Sequence, residues 1–227
     1  MKFTVIIPVY NEEKTIQEII RRVRATGLAD EILVIDDGST DGSHEILNRL
    51  ATEGMIKLIS HERNQGKGKA VRDGIQNASG ELIIIQDADL EYDPREYPHL
   101  LKPIDEGIAD IVYGSRFLGA GRRPALFWNM VANKILTFVT NILYNNILTD
   151  METGYKLFRR EVVKDIPLHA HGFEFEPEFT AKILKRKIPL YEVPIEFNPR
   201  DYTEGKKIKM RDAFIALWTL LKYRFVD

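Results

Sequence analysis

The chain has 227 residues, 44% of them apolar, enough for one large or two small domains with a substantial core. Its 32 basic and 34 acidic residues leave a net charge of -2, so nothing in the balance points to a nucleic-acid partner. The absence of cysteine excludes disulfide scaffolds, zinc-thiolate centres and thiol nucleophiles, and is compatible with a reducing cytoplasm.

The N-terminus enters a strand at once (Phe3 to Val9), leaving no room for a signal peptide, and no run of about 18 apolar residues predicts a membrane span. Asn11 is positioned to cap a helix carrying Ile16, Ile19, Ile20 and Val23 on one face. Residues 32–35 form a second buried strand; Asp36-Asp37-Gly38-Ser39-Thr40-Asp41 turns into a helix with Ile46, Leu47 and Leu50. A third strand is expected over 55–59, and Asn64-Gln65-Gly66-Lys67-Gly68-Lys69 opens the next helix. Four branched apolar residues, 82–85, read as a strand buried on both faces. Asp93 before Pro94 starts another helix, and residues 111–113 make a fifth strand.

Such alternation predicts an α/β chain with a mostly parallel sheet and helices on both faces, which binds ligands beyond the carboxyl ends of its strands. The polar clusters Tyr10 to Glu12, Asp36-Asp37, 64–69, Asp87 to Glu91 and Ser115-Arg116 all fall at such ends and are expected to converge on one cleft. Asp87, Asp89 and Glu91 share one side of an extended backbone, an arrangement that suits magnesium or manganese; isolated aspartates at strand ends also serve as turn formers.

Beyond residue 116 the pattern changes. Asn129, Asn133, Thr137, Asn141 and Asn145 recur every fourth residue, a narrow polar stripe on an apolar helix that either packs in the core or lies against a membrane or partner. Asp150-Met151-Glu152-Thr153-Gly154-Tyr155 makes a tight polar turn into Lys156-Leu157-Phe158. Residues 173–184 are expected to be helical, and 190–195 form a strand whose Pro194 suggests a sheet edge. Residues 198–209 read as a basic loop, and Phe214, Leu217, Trp218 and Leu221 line one face of a final helix. Trp128 and Trp218 are read as packing residues, and the five histidines as surface or packing residues, with His169 and His171 near a prospective acceptor site. No linker appears, so a single domain is expected, with a C-terminal subregion from about residue 116.

A hard metal, basic residues on separate loops and a carboxylate pair after the second strand suit a diphosphate attached to a nucleoside, with Asp36 or Asp37 accepting from base or ribose. The Gly66-Lys67-Gly68-Lys69-Ala70 run fails the P-loop pattern, and no GxGxxG follows the first strand.

Val9-Tyr10-Asn11-Glu12, Val34-Ile35-Asp36-Asp37-Gly38-Ser39, Asn64-Gln65-Gly66-Lys67-Gly68, Asp87-Ala88-Asp89-Leu90-Glu91 and Gly114-Ser115-Arg116 together resemble a family 2 glycosyltransferase of the GT-A fold. The run from Asp150 to Lys156 and the loop Glu204-Gly205-Lys206-Lys207-Ile208 narrow the resemblance to the polyprenyl-phosphate, dolichyl-phosphate mannose synthase-like group. The resemblance implies a metal-dependent inverting transfer of a hexose from a nucleotide diphosphate sugar to polyprenyl phosphate. Pro8, Tyr10, Glu12, Asp37, Lys67 and Asp87 would hold the donor, Asp87, Asp89 and Glu91 the metal, and Arg116 and Arg200 phosphates, with Lys206 closing over the donor. Asp89, Arg116 and Asp150 would serve the reaction itself, Asp150 or Glu152 as base if the acceptor were a hydroxyl. Phosphate binding is favoured for Arg116 over a surface ion pair, whereas Arg200 and Lys206 equally suit a basic solvated loop and Asp150 a turn acceptor. Many relatives carry C-terminal membrane helices, so contact with the cytoplasmic face of a membrane through the helix around Trp128 and the C-terminal helix is expected. A family 2 enzyme acting on a glycan or protein hydroxyl is the rival reading, and a non-catalytic nucleotide-sugar-binding module a remote one.

Overall fold

The computed structural model describes residues 1–119, 127–199 and 210–226. Strands and helices alternate as β1 (Phe3–Val9), α1 (Ile16–Ala25), β2 (Glu31–Asp36), α2 (Ser43–Thr52), β3 (Lys57–Ser60), α3 (Lys67–Asn77) and β4 (Leu82–Ile85). A short 3-10 turn (Pro94–Glu96), started by the Asp93 side chain on Arg95 N, leads into α4 (Tyr97–Asp105) and β5 (Ile111–Ser115). The remainder comprises α5 (Phe127–Tyr144), β6 (Lys156–Arg159), α6 (Arg160–Val163), α7 (Phe175–Lys185), β7 (Leu190–Pro194) and α8 (Met210–Phe225).

Seven strands form one sheet in the order β3-β2-β1-β4-β6-β5-β7. All pairings are parallel except those of β6, which runs antiparallel between β4 and β5. Alternate residues of each strand feed opposite layers. Val5, Ile7, Val9 and Ile84 join the core under α1, α2 and α4, whereas Ile6, Ile83 and Ile85 join the core under α3, α5, α7 and α8. Covering both faces explains why these strands are unbroken apolar runs. The proline at the end of β7 lies at the sheet edge, where no further neighbour needs its missing N–H.

Several local expectations are corrected. The third strand begins at Lys57 rather than Met55. Asn11 does not cap α1: Thr15 stands at that position, and Asn11, at φ +54°, turns its side chain to accept from Thr40 N at 2.8 Å. The parity argument for Asp87, Asp89 and Glu91 fails because the strand stops at Ile85 and Leu90 adopts φ +63°, a turn rather than an extended segment. Trp128 and Trp218 are not buried in the core; they are 73% and 67% exposed. The polar residues Asn133, Thr137 and Asn141 form the inner seam of α5, whereas Asn145 lies past its end and is exposed. Asn133 Nδ2 donates to Asp150, Thr137 Oγ1 donates to Asn133 and accepts from Met151 N, and Asn141 exchanges hydrogen bonds with Leu148. The outer faces of α5 and α8, which pack on each other, carry the exposed Phe127, Trp128, Phe138, Phe214, Trp218 and Phe225. Among the described residues no helix is long and apolar enough to cross a membrane.

Candidate active site

Because β1, β2, β4 and β5 are parallel, the residues that follow them emerge at one edge of the sheet. The antiparallel β6 delivers to that edge the residues that precede it, 150–155. This is how Asp150 meets Arg116, which follows β5. Arg116 Nε and Nη2 lie 2.7 Å from the two Asp150 oxygens, Arg116 N donates to Oδ2, and Asn133 Nδ2 donates to Oδ1. Asp150 is fully buried, and burial opposes its charge, yet Arg116 and these donors hold its carboxyl below the usual range. Glu192 in β7 fixes the backbone beneath by accepting from Thr149 N and Asp150 N.

Asp87 stands just past β4. Its Oδ1 lies 2.8 Å from Lys67 Nζ at the start of α3, and the same ammonium is 3.1 Å from Glu176 Oε1 on α7. Burial works against the Lys67 charge, but Asp87 and Glu176 outweigh it and raise Lys67 well above its ordinary range. Gly154 is required here, since a Cβ at that position would overlap Asp87 Oδ2. Asp89 and Glu91 sit part-buried on the following turn, where Asp89 Oδ1 accepts from Glu91 N at 3.1 Å. The chain leaving β7 crosses that turn: Phe197 bridges Tyr92, and Asn198 N donates to Glu91 O at 2.9 Å. Arg200 and Lys206 lie outside the described residues.

Across the cleft, Pro8 and Tyr10 are half-buried at the end of β1, and Glu12 accepts from Thr15 Oγ1. Asp36 and Asp37 are both buried and occupied. Asp36 accepts from Ser39 N and pairs with His44; Asp37 accepts from Gln65 N and Gly66 N and pairs with His61. The amides of the two residues that precede α3 therefore already hold a carboxylate.

Sequence reasoning missed three contributors. Gln86 is fully buried; its Oε1 takes the hydroxyls of Tyr97 and Tyr155 while its amide nitrogen donates to Asp87 O and Tyr92 O, gripping both ends of the acidic turn. Glu176 anchors Lys67. Lys156, fully buried in β6, donates to Met151 O and Thr153 O. Beside it Glu152 is pushed up to about 8, chiefly by burial and then by the Glu176 charge. Residues 173–184 were legible only as a helix, and no periodicity marks a glutamine as a clamp.

No three acidic or histidine side chains among the described residues come together as a self-sufficient metal cage. Asp89 and Glu91 nonetheless offer hard carboxylate donors on one part-buried turn, which fits a magnesium- or manganese-type ion completed by diphosphate and water.

The architecture is that of the GT-A glycosyltransferases. Glucosyl-3-phosphoglycerate synthase from Mycobacterium tuberculosis, solved with Mn2+, uridine diphosphate and glucosyl-3-phosphoglycerate, superposes with a TM-score of 0.76 at 21% identity, covering 100% of this chain and 81% of that one. The same enzyme with Mn2+, UDP-glucose and phosphoglyceric acid gives 0.77 at 21% identity, covering 100% of this chain and 80% of that one. Residues 4–167 match glycosyl transferase family 2, and the chain belongs to that family. A dolichol-phosphate mannosyltransferase of Pyrococcus furiosus is 33% identical over 211 residues, 91% of this chain and 59% of the relative. An undecaprenyl-phosphate 4-deoxy-4-formamido-L-arabinose transferase of Salmonella paratyphi A is 34% identical over 216 residues, 92% of this chain and 64% of the relative. The chain thus spans about three fifths of the length of these relatives.

Proposed function

We propose that the protein is a metal-dependent inverting glycosyltransferase that moves a hexose from a nucleotide diphosphate sugar to a polyprenyl phosphate at the cytoplasmic face of a membrane. The observation that carries this reading is the state of the candidate bases. Asp150 has both oxygens engaged and no exposure, and burial, with the neighbouring Glu176 charge, raises Glu152 above the ordinary carboxylate range. A sugar or protein hydroxyl needs a base to accept its proton, whereas a phosphate monoester is already anionic. The two relatives' names differ in sugar and share a polyprenyl-phosphate acceptor, in line with that choice.

In this reading Asp89 and Glu91 would hold Mg2+ or Mn2+, which when bound neutralises the diphosphate as it leaves. Asp87 holds Lys67 in the cleft, where its charge faces the donor phosphates; Arg116, braced by Asp150, presents its remaining N–H groups to phosphate oxygens. Pro8, Tyr10 and Glu12 line the nucleoside end, and the buried Asp37 supports it by holding the Gln65 and Gly66 amides. The outward aromatic faces of α5 and α8, with Lys134, Lys222 and Arg224 beside them, suit a lipid interface.

The test is direct. Purified protein is incubated with Mn2+, a polyprenyl phosphate in detergent, and in turn GDP-mannose, UDP-glucose, UDP-galactose and UDP-N-acetylglucosamine, with lipid products weighed by mass spectrometry. Addition of one sugar to the lipid phosphate is expected with one donor. Transfer to a glycan or peptide hydroxyl with no lipid product would overturn the acceptor assignment.

A further inference from the structure

His61 stands between two carboxylates. Its Nδ1 lies 2.7 Å from Asp37 Oδ1 and its Nε2 2.8 Å from Asp73 Oδ2, with the side chain 8% exposed. Ionised carboxylates only accept hydrogen bonds, so a ring that serves both of them must donate from both nitrogens, as an imidazolium does. The charges then alternate along one line: Lys69 on Asp73, Asp73 on His61, His61 on Asp37, and Asp37 on the amides of Gln65 and Gly66 at 2.9 and 2.8 Å. The chain between His61 and Gly66 is thereby pinned at both ends. It is also pressed against the turn after β2, since a Cβ on Gly38 would meet the Arg63 backbone at 2.5 Å. On its far side Gly66, at φ +96°, lies too close to the His171 carbonyl for any side chain. Lys67 is the next residue, and its depth in the cleft follows from where this segment sits.

We infer that His61 is a positioning residue of the donor site: protonated on both nitrogens, it locks Asp37 onto the Gln65 and Gly66 amides and so sets Lys67 against Asp87 and Glu176. This rests on the donor-site reading above and adds to it a residue that touches neither donor nor metal.

Glutamine at position 61 can donate to only one carboxylate and turns its carbonyl oxygen toward the other. Asparagine at position 73 would remove that clash by offering an N–H. His61→Gln is therefore expected to weaken binding of UDP or GDP with Mn2+ roughly tenfold, the effect of one lost charge-assisted hydrogen bond. It should also speed amide exchange at Gln65 and Gly66. Asp73→Asn alone should change both little, because a neutral imidazole then suffices, and His61→Gln with Asp73→Asn should recover most of the loss. A general packing defect would not be rescued in this way. Ring 15N shifts of histidine-labelled protein at neutral pH read the charge state independently. A singly protonated His61, unaltered exchange in His61→Gln, or no rescue in the double variant would overturn the inference. If the wild type binds neither nucleotide, the donor-site reading fails, while ring shifts and amide exchange still decide what His61 does.

Discussion

Arg116 and Asp150 form a two-toothed pair, Nε to Oδ2 and Nη2 to Oδ1, both at 2.7 Å, joining the end of β5 to the segment that enters β6. Asp150→Asn removes the charge but keeps the shape, leaving Arg116 largely buried without its counter-ion. We expect a stability loss of about 3 kcal/mol, as for a broken buried pair. Chemical denaturation measures the stability and steady-state kinetics the activity. Were Asp150 instead a free general base, the variant would lose kcat while retaining wild-type stability.

Glu152 supplies a pH signature. Its folded-state value of about 8 lies above the ordinary 4.5, so the folded protein holds more protons than the unfolded chain between these limits. Stability contributed by this group is therefore lost as pH rises from about 4.5 to 8. Glu152→Gln should flatten that slope and raise the melting temperature at pH 8 relative to wild type. Thermal melts at closely spaced pH values would show it; an unchanged slope would place Glu152 in a solvated setting.

Gln86→Leu retains most of the volume but strands the hydroxyls of Tyr97 and Tyr155 inside the core. A cost of about 2–4 kcal/mol is expected for two buried unsatisfied donors. The acidic turn should loosen with it, so KM for the donor rises in variants still folded at the assay temperature.

Asp89→Ala should lower kcat/KM by roughly a hundredfold and abolish stimulation by Mn2+, whereas the melting temperature without metal stays near wild type. Metal-dependent transfer surviving intact would remove Asp89 from the metal site.

Trp128→Ser combined with Trp218→Ser removes two large exposed aromatics without touching the core. Flotation with vesicles containing phosphatidylglycerol should drop several-fold for the pair. Equal flotation of wild type and variant, or none for either, would sink the membrane-contact proposal.

Much of the first half was legible because the inner parallel strands β1, β2, β4 and β5 are short apolar runs buried on both faces, each followed by its own polar cluster. Those clusters pointed to one edge, where Asp87, Arg116 and Asp37 are found. The pairings among them were not legible. That Arg116 meets Asp150 depends on β6 running against its neighbours, and nothing local in Lys156-Leu157-Phe158 reveals direction. The asparagine ladder of α5 was visible as a stripe, but a stripe has the same period whether it faces water or a buried carboxylate. Trp128 and Trp218 were read as packing residues because tryptophan usually packs, and here they face outward.

The antiparallel β6 also governs the order in which the molecule can be assembled. β4 and β5 are joined only through it, so a nascent chain that has emerged as far as β5 has two strands with no bridge between them. The edge of β4 then stays open until about forty more residues have been made, an interval in which a chaperone or a misplaced strand competes for it.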